Sequence, residues 1–374
     1  MRENEEQTYT CPECGAVVDE GSLHTFDEHV LCDECLERLT VTCDNCGRRI
    51  WRTDAACDRY TTLCSHCYEY HYTSCEHCGR LIECDSANYD EDDDFPYCDE
   101  CYRELQESVI KSYNYKPEPT FYGSGDLFYG IELEVDKGGE RSDYAETILN
   151  VANKDNNYLY AKHDGSIDDG FELVSHPMTL EYHTNIMNWS DVMEMAVSLG
   201  YRSHQTYTCG LHVHVNRNAF GKDYDTQEDA ISRIVHFVEM HWNELLKFSR
   251  RTEANMNRWA SRYGISNTAK DTYKNAKAKH CGRYVAVNLE NYATIEFRLF
   301  RGTLKYKTFL ATLQLVDEIC SLALKLSDKE LESMSWSDFV GRIDSDKPEL
   351  IEYLKAKQLY INEPVDISLE TEVE

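Results

Sequence analysis

Six CxxC pairs in the first 101 residues constrain this chain more than any other feature. They are Cys11/Cys14, Cys32/Cys35, Cys43/Cys46, Cys64/Cys67, Cys75/Cys78 and Cys98/Cys101, and Cys11, Cys43 and Cys75 stand 32 residues apart. TCPECG, TCDNCG and SCEHCG open three repeats; LCDEC, LCSHC and YCDEC close them. Each repeat supplies four thiols, and a CxxC turn lets two sulfurs reach one tetrahedral Zn(II). The constant period favours three sequential zinc sites, at about residues 9–38, 41–70 and 73–104, over a cross-braced pairing. Disulfide scaffolds belong to small secreted domains. The opening MRENEEQTYT is too polar for a secretory signal, so the pattern reads as zinc in a reducing cytoplasm.

Units of this size cannot bury enough apolar area alone, so the metal has to supply the folding free energy. Short hairpins are expected at the first knuckles and short helices in ECLERL and ECYREL. Cys57 and Cys84 fall outside the pattern, either as spare thiols or as alternative ligands. His24, His29, His66, His71 and His77 can also replace a cysteine, but complete four-cysteine sets make that unnecessary.

Charge narrows the partners. Residues 1–104 hold 8 Arg, no Lys and 26 Asp+Glu, a net of −18, leaving −12 of the chain's −30 for the remainder. Each filled four-thiolate site adds about −2 more. Nucleic-acid affinity comes from phosphate neutralisation, so this surface argues against DNA or RNA. The array is expected to dock a protein partner, to present a substrate, or to serve as scaffold. No apolar run approaches a membrane span.

Composition changes after NYKPEPTFYGSG, whose prolines and glycines mark 105–122 as a linker. A second domain is expected over 123–328, followed by a helical extension at 329–374 with an acidic tail. Strands are expected at 128–136, 157–162, 170–176, 209–216, 284–290 and 293–300. Helices are expected near 143–153, 180–199, 226–249, 306–326, 336–342 and 347–357. Strands and crossover helices do not alternate regularly, so the fold class is α+β with an antiparallel sheet rather than a doubly wound one.

Four of these strands carry polar groups inside apolar runs. FYGIELEVD places Glu132 and Glu134 on one face, GFELVSHP holds Glu172, and CGLHVHVN aligns His212 with His214. YATIEFRLFRGTL puts Glu296 and Arg298 on one face, with Arg301 at the strand's end. Taken singly, each pattern also suits a solvated strand face or a cross-strand ion pair. Buried carboxylates need partners, and several converging together call for divalent cations and arginines. A carboxylate-rich set with imidazole suits Mg(II) or Mn(II), ions that serve phosphoryl transfer. No GxxxxGK[ST] loop is present. Residues 250–283 hold nine Lys+Arg against two acids. Lys279 and Arg283 there either close over nucleotide phosphates or lie on a solvated helix face.

The order GIELEVD, HDGSI, FELVSHP, CGLHVHVN, IEFRLFR resembles the amidoligase family of the glutamine synthetase / glutamate-cysteine ligase superfamily over roughly residues 126–325. GLHVH resembles the strand that supplies a metal-binding histidine in glutamine synthetases, and IEFR their Glu-x-Arg strand. The resemblance implies a glutamine synthetase-like core and an ATP-dependent ligase joining a carboxylate to an amine through an acyl phosphate. Glu134 and Glu172 would hold one Mg(II), and Glu132, His212 and Glu296 the second. Arg298 and Arg301 would grip the phosphoryl group, with His214 beside it. Asp164 would face the substrate amine or hold a loop. A peptide, protein or small amine and a carboxylate would be the substrates. Two alternatives are a zinc-based adaptor with an inactive core and a kinase of the same fold.

Overall fold

The computed structural model describes residues 8–89, 94–279 and 282–361. The chain divides into two compact units, residues 1–107 and 108–374.

The first unit is a threefold repeat. In each repeat the glycine after the second cysteine (Gly15, Gly47 and Gly79) takes a left-handed φ of 70–75°, which closes the knuckle at little steric cost. Its N–H donates to the carbonyl of the first cysteine, Cys11, Cys43 or Cys75. A short hairpin follows, and a helix begins just after the third cysteine: Asp33–Leu39, Ser65–His71 and Asp99–Glu107. The middle repeat thus carries the same helix as the outer two, where the expectation had named only ECLERL and ECYREL. The acidic run at 91–95 lies mostly outside the described residues.

The second unit is built on a seven-stranded sheet. In chain order its strands are β1 (Ile110–Lys111), β2 (Tyr129–Val135), β3 (Leu159–Lys162), β4 (Phe171–Ser175), β5 (Gly210–Asn216), β6 (Val287–Asn288) and β7 (Thr294–Arg301). Their order across the sheet is β1-β3-β4-β2-β5-β7-β6. All pairs are antiparallel except β1 with β3. The sheet is therefore mixed, a correction to the antiparallel expectation. The parallel pair comes from Ile110–Lys111, inside the stretch read as a linker.

One sheet face is apolar. Ile131, Leu133, Leu173, Leu211, Val213, Ile295 and Phe297 lie in one core with Ile148, Trp189, Val192, Ile234, Phe309 and Leu313 from the helices. Two expected helices are each broken in two: Leu180–Asn185 with Trp189–Ser198, and Tyr224–Met240 with Trp242–Ser249. Leu331, Trp336, Phe339, Leu350 and Leu354 join the same core, so the C-terminal helices complete this unit. The acidic tail from 362 lies outside the described residues. No helix of the described residues is long and apolar enough to cross a membrane.

Gly170 opens β4 where a Cβ would run into the Val135 carbonyl. Neither backbone can give way without disturbing the β2–β4 ladder. Gly170→Ala is expected to cost about 2–3 kcal/mol. A drop of several degrees in the melting temperature of the second unit would record it.

Candidate functional site

In each cysteine repeat the four thiols lie together as sequential sets. The Cys14–Cys32 sulfurs are 3.7 Å apart, and those of Cys46–Cys64 and Cys78–Cys98 3.8 Å. Four sulfurs each about 2.3 Å from one zinc sit about 3.8 Å from one another. The spacing thus suits three structural zinc ions without rearrangement. Burial would raise the Cys11 thiol, but the N–H groups of Cys14, Cys32 and Glu13 outweigh it and bring the thiol down to about 6. Cys14 receives the Ala16 N–H, yet its sulfur neighbours, Cys35 foremost, push it up to about 12. Cys57 and Cys84 are exposed and belong to none of the three sets. Among the histidines, His77 places Nδ1 3.3 Å from the Cys101 sulfur, beside a complete set.

The polar groups of the second unit gather on the sheet face opposite the core. Register explains why. Glu132 pairs across the ladder with His212, and Glu134 with Glu172. His214 pairs with Glu296, and Glu172 also with Lys162. Residues paired across a ladder share a face, so the alternation on each strand is summed over four strands. Glu132 Oε2 lies 3.1 Å from His212 Nδ1, which in turn lies 3.7 Å from Glu296 Oε1. One donor atom each from Glu132, His212 and Glu296 falls within 4.8 Å of the others. His214 Nε2 stands 3.1 Å from Glu132 Oε1 and 3.8 Å from Glu296 Oε1.

The electrostatics are those of a crowded acid cluster. Burial pushes Glu172 well above the carboxylate range, helped by Glu132, Glu134 and Asp164 and opposed by Lys162, whose Nζ is 3.8 Å away. Burial also raises Glu134, although the His212 ring and the Gly210 N–H oppose it. Burial would raise Glu132 and Glu296 too. The imidazoles hold Glu132 well below its ordinary value, and His214 and Arg298 keep Glu296 low. Glu296 is fixed from three sides, by Arg298 and by the amides of Asn288 (2.8 Å) and Asn291 (3.2 Å).

A bulge decides where Arg301 points. Leu211 pairs with Phe300 but Val213 with Phe297, so β7 gains a residue between them. Strict alternation would send Arg298 and Arg301 to opposite faces. The extra residue returns Arg301, paired with Gly210, to the face of His212 and Glu296. Arg251, which the sequence reading did not single out, joins them. Burial and the repulsion of Arg298 and Arg301, opposed by Glu134, bring it down to about 10. Gly210 makes room for it, since a Cβ there would meet Arg251 Nη2 and His212 Nε2.

Lys162, Asn288 and Tyr113 were also missed. Lys162 sits in a run that reads as an ordinary strand end, and no local pattern separates it from a surface lysine. Tyr113 and Tyr284 flank Arg283, at 5.6 and 5.1 Å, and the same rings touch Lys162 at 5.5 Å and Arg298 at 5.9 Å. Arg283 therefore stands at the rim of the cluster. The Lys279 ammonium bonds the Tyr263 carbonyl. Asp164 accepts the Ser166 N–H at 2.7 Å, an Asx turn, while its charge still acts on Glu134 and Glu172.

Do these residues suit a metal and an anion? Among the described residues, Arg298 Nε and Arg251 Nε are buried without a hydrogen-bond partner. Buried polar atoms left unpaired are costly. Here they surround a hard, oxygen-rich donor set, so a divalent cation with an anionic ligand fits the arrangement. Next to His214 and Thr294 opens a cavity of about 750 Å³, lined by Phe121, Phe128, Tyr224 and Tyr292.

Residues 150–320 match the family model described as "Putative amidoligase enzyme". The amidoligase match takes in Glu172, His212, His214, Arg251, Glu296, Arg298 and Arg301, and begins after Glu132 and Glu134. The cysteine repeats lie outside it. No curated protein matches the chain. Among solved structures, the crystal structure of a bifunctional glutathione synthetase from Pasteurella multocida is similar at 13% identity and a TM-score of 0.32. That alignment covers 64% of this chain and 45% of the synthetase, a level that does not establish a shared fold. The chain thus spans less than half the length of that protein.

Proposed function

We propose that the second unit is an ATP- and Mg-dependent carboxylate-amine ligase of glutamine synthetase-like architecture. The observation that carries this reading is the convergence of Glu132, His212 and Glu296 within 4.8 Å on one sheet face. The amidoligase match over residues 150–320 supports it.

In this reading Glu132, His212 and Glu296 hold one Mg(II) and Glu134 with Glu172 a second; when bound, the ions neutralise phosphate charge. The nucleoside enters the cavity beside His214, whose volume and aromatic walls suit it. The phosphates run toward Arg298 and Arg301, whose guanidiniums match phosphoryl oxygens. Arg251 adds a third cation at that end, and Arg283 serves at the rim. Transfer of the γ-phosphoryl group to a substrate carboxylate breaks the β–γ bond and gives an acyl phosphate and ADP. An amine then attacks the acyl carbon, phosphate leaves, and the amine's proton passes to a base. Asp164, whose charge acts on Glu134 and Glu172, orients that amine. The cysteine repeats, carrying zinc, dock the peptide or protein that supplies one reactant.

The deciding experiment measures ADP and phosphate release with Mg(II) across pooled amino acids, polyamines and peptides, followed by mass spectrometry of the products. Formation of an amide with matching ADP and phosphate supports the ligase. A stable phosphorylated product would favour a kinase instead. Absence of ATP turnover with every pool would leave the adaptor reading.

Gly130 offers a check on the nucleoside cavity. It pairs with His214 on the site face, and its missing side chain leaves the cavity floor open. Gly130→Leu is expected to raise KM for ATP by about tenfold or more, since lost complementarity of a few methylenes is worth 1–3 kcal/mol. The turnover number at saturating ATP would change less.

A further inference from the structure

The three cysteine repeats can be superposed by sequence, and one equivalent position differs in chemistry. Glu20, Arg52 and Cys84 stand 32 residues apart and open the same short 3₁₀ turn in each repeat: Glu20–Ser22, Arg52–Asp54 and Cys84–Ser86. Arg52 reaches back across the junction between the first and second repeats. Its guanidinium donates to the carbonyls of Arg38 at 3.1 Å, Glu37 at 3.2 Å and Thr40 at 3.4 Å, at the end of helix Asp33–Leu39. The last carbonyls of a helix have no partner within it, and a cation there is favourable. Arg52 is thus a built-in ligand that closes the first junction.

The second junction repeats the backbone but not the ligand. Helix Ser65–His71 ends as helix Asp33–Leu39 does, and Tyr72–Ser74 pairs with Leu81–Glu83 as Thr40–Thr42 pairs with Arg49–Trp51. Where Arg52 would stand, Cys84 is short and exposed. A cleft of about 270 Å³ opens there, lined by Tyr70, His71, Tyr72, Glu83, Cys84 and Asp85, with Asn45. By the 32-residue offset, Asn45, Tyr70, His71, Tyr72, Glu83, Cys84 and Asp85 stand where the first junction has Glu13, Arg38, Leu39, Thr40, Trp51, Arg52 and Thr53. The cleft is therefore more acidic than its occupied counterpart.

We propose that this cleft binds the guanidinium of an arginine side chain from a peptide or protein partner, in the pose Arg52 adopts one repeat earlier. The chain's own arrangement supplies the template: helix-end carbonyls facing a planar, multiply donating cation. Glu83 and Asp85 add attraction, and the net −18 of residues 1–104 steers a basic segment toward it. An arginine suits the site better than a lysine, because three carbonyls at different bearings ask for a fork of donors. This inference concerns the first unit alone and stands whether or not the second unit proves to be a ligase.

The test uses the full, zinc-loaded chain. Iodoacetamide alkylation of Cys84 and Cys57 is followed by peptide mass spectrometry with and without acetyl-Ala-Arg-Ala-amide at millimolar concentration. Cys57 is the internal control, being exposed and outside the cleft. Severalfold slowing at Cys84, none at Cys57, and no protection by the uncharged citrulline peptide are expected. Equal rates at Cys84 with and without the arginine peptide, or equal protection by citrulline, overturn the proposal. A second arm fills the cleft from within. Cys84→Arg should make the first unit resist chelation longer than Cys84→Ala, whereas equal resistance would show that the cleft does not take a guanidinium.

Discussion

Glu296→Gln is expected to lower ATP-dependent turnover by about 10²–10³, the order lost when one group stabilising the developing charge is removed. The substitution keeps the side chain's shape and its bonds from Asn288 and Asn291, but removes the charge that faces Arg298 and His212. A modest loss of stability is expected, because relief of the repulsion with Glu132 does not make up for leaving Arg298 and the imidazoles without their counter-charge. Turnover is read as ADP release and stability as the melting temperature. Full turnover in a folded variant would remove Glu296 from the site and with it the three-residue metal set. A collapsed melting temperature would instead mark the carboxylate as structural.

Chelation is expected to strip about three zinc ions per chain and to unfold the first unit while the second stays folded. Structural zinc in small modules contributes on the order of 10–16 kcal/mol to folding. The small apolar clusters here, such as Leu31 with Val18, Leu23 and Phe26, cannot replace that. Metal analysis gives the count, and hydrogen exchange of residues 8–89 against 108–361 locates the loss. Cys46→Ser should leave about two ions. The pH dependence has a definite sign. Ligand thiols must lose their protons to bind, and Cys14 and Cys67 are pushed up to about 12 before metal enters. Protons therefore compete with zinc, and affinity falls as pH falls. Release on acidification, monitored with a zinc indicator, checks it; release on raising the pH would contradict it.

Much of the site was legible because strand alternation is a local property. Glu132 with Glu134, and His212 with His214, share a face whatever their neighbours are. The cysteine sets were legible for a similar reason: a 32-residue period and CxxC spacing bring four sulfurs together within one short segment. Arg301 was placed at the end of its strand, but its facing could not be read, because alternation fails at the β7 bulge. Lys162 and Arg251 were missed because neither lies in a motif. Lys162 acquires its meaning from pairing with Glu172, and Arg251 from the gap that Gly210 leaves beside His212.

Sequence alone determined the elements and their chemistry: which strands carry acids, imidazoles or guanidiniums, and that the first unit is three four-thiol repeats. These follow from short-range geometry, the period of a strand and the span of a CxxC turn. Tertiary structure alone decided which strands are neighbours. With β2 between β4 and β5, Glu132 and Glu134 meet Glu172 on one side and His212 on the other. Register between strands far apart in the chain is set by packing of the apolar face on the helices. A one-residue slip there would turn every polar group of a strand into the core, and nothing within a single strand records that choice.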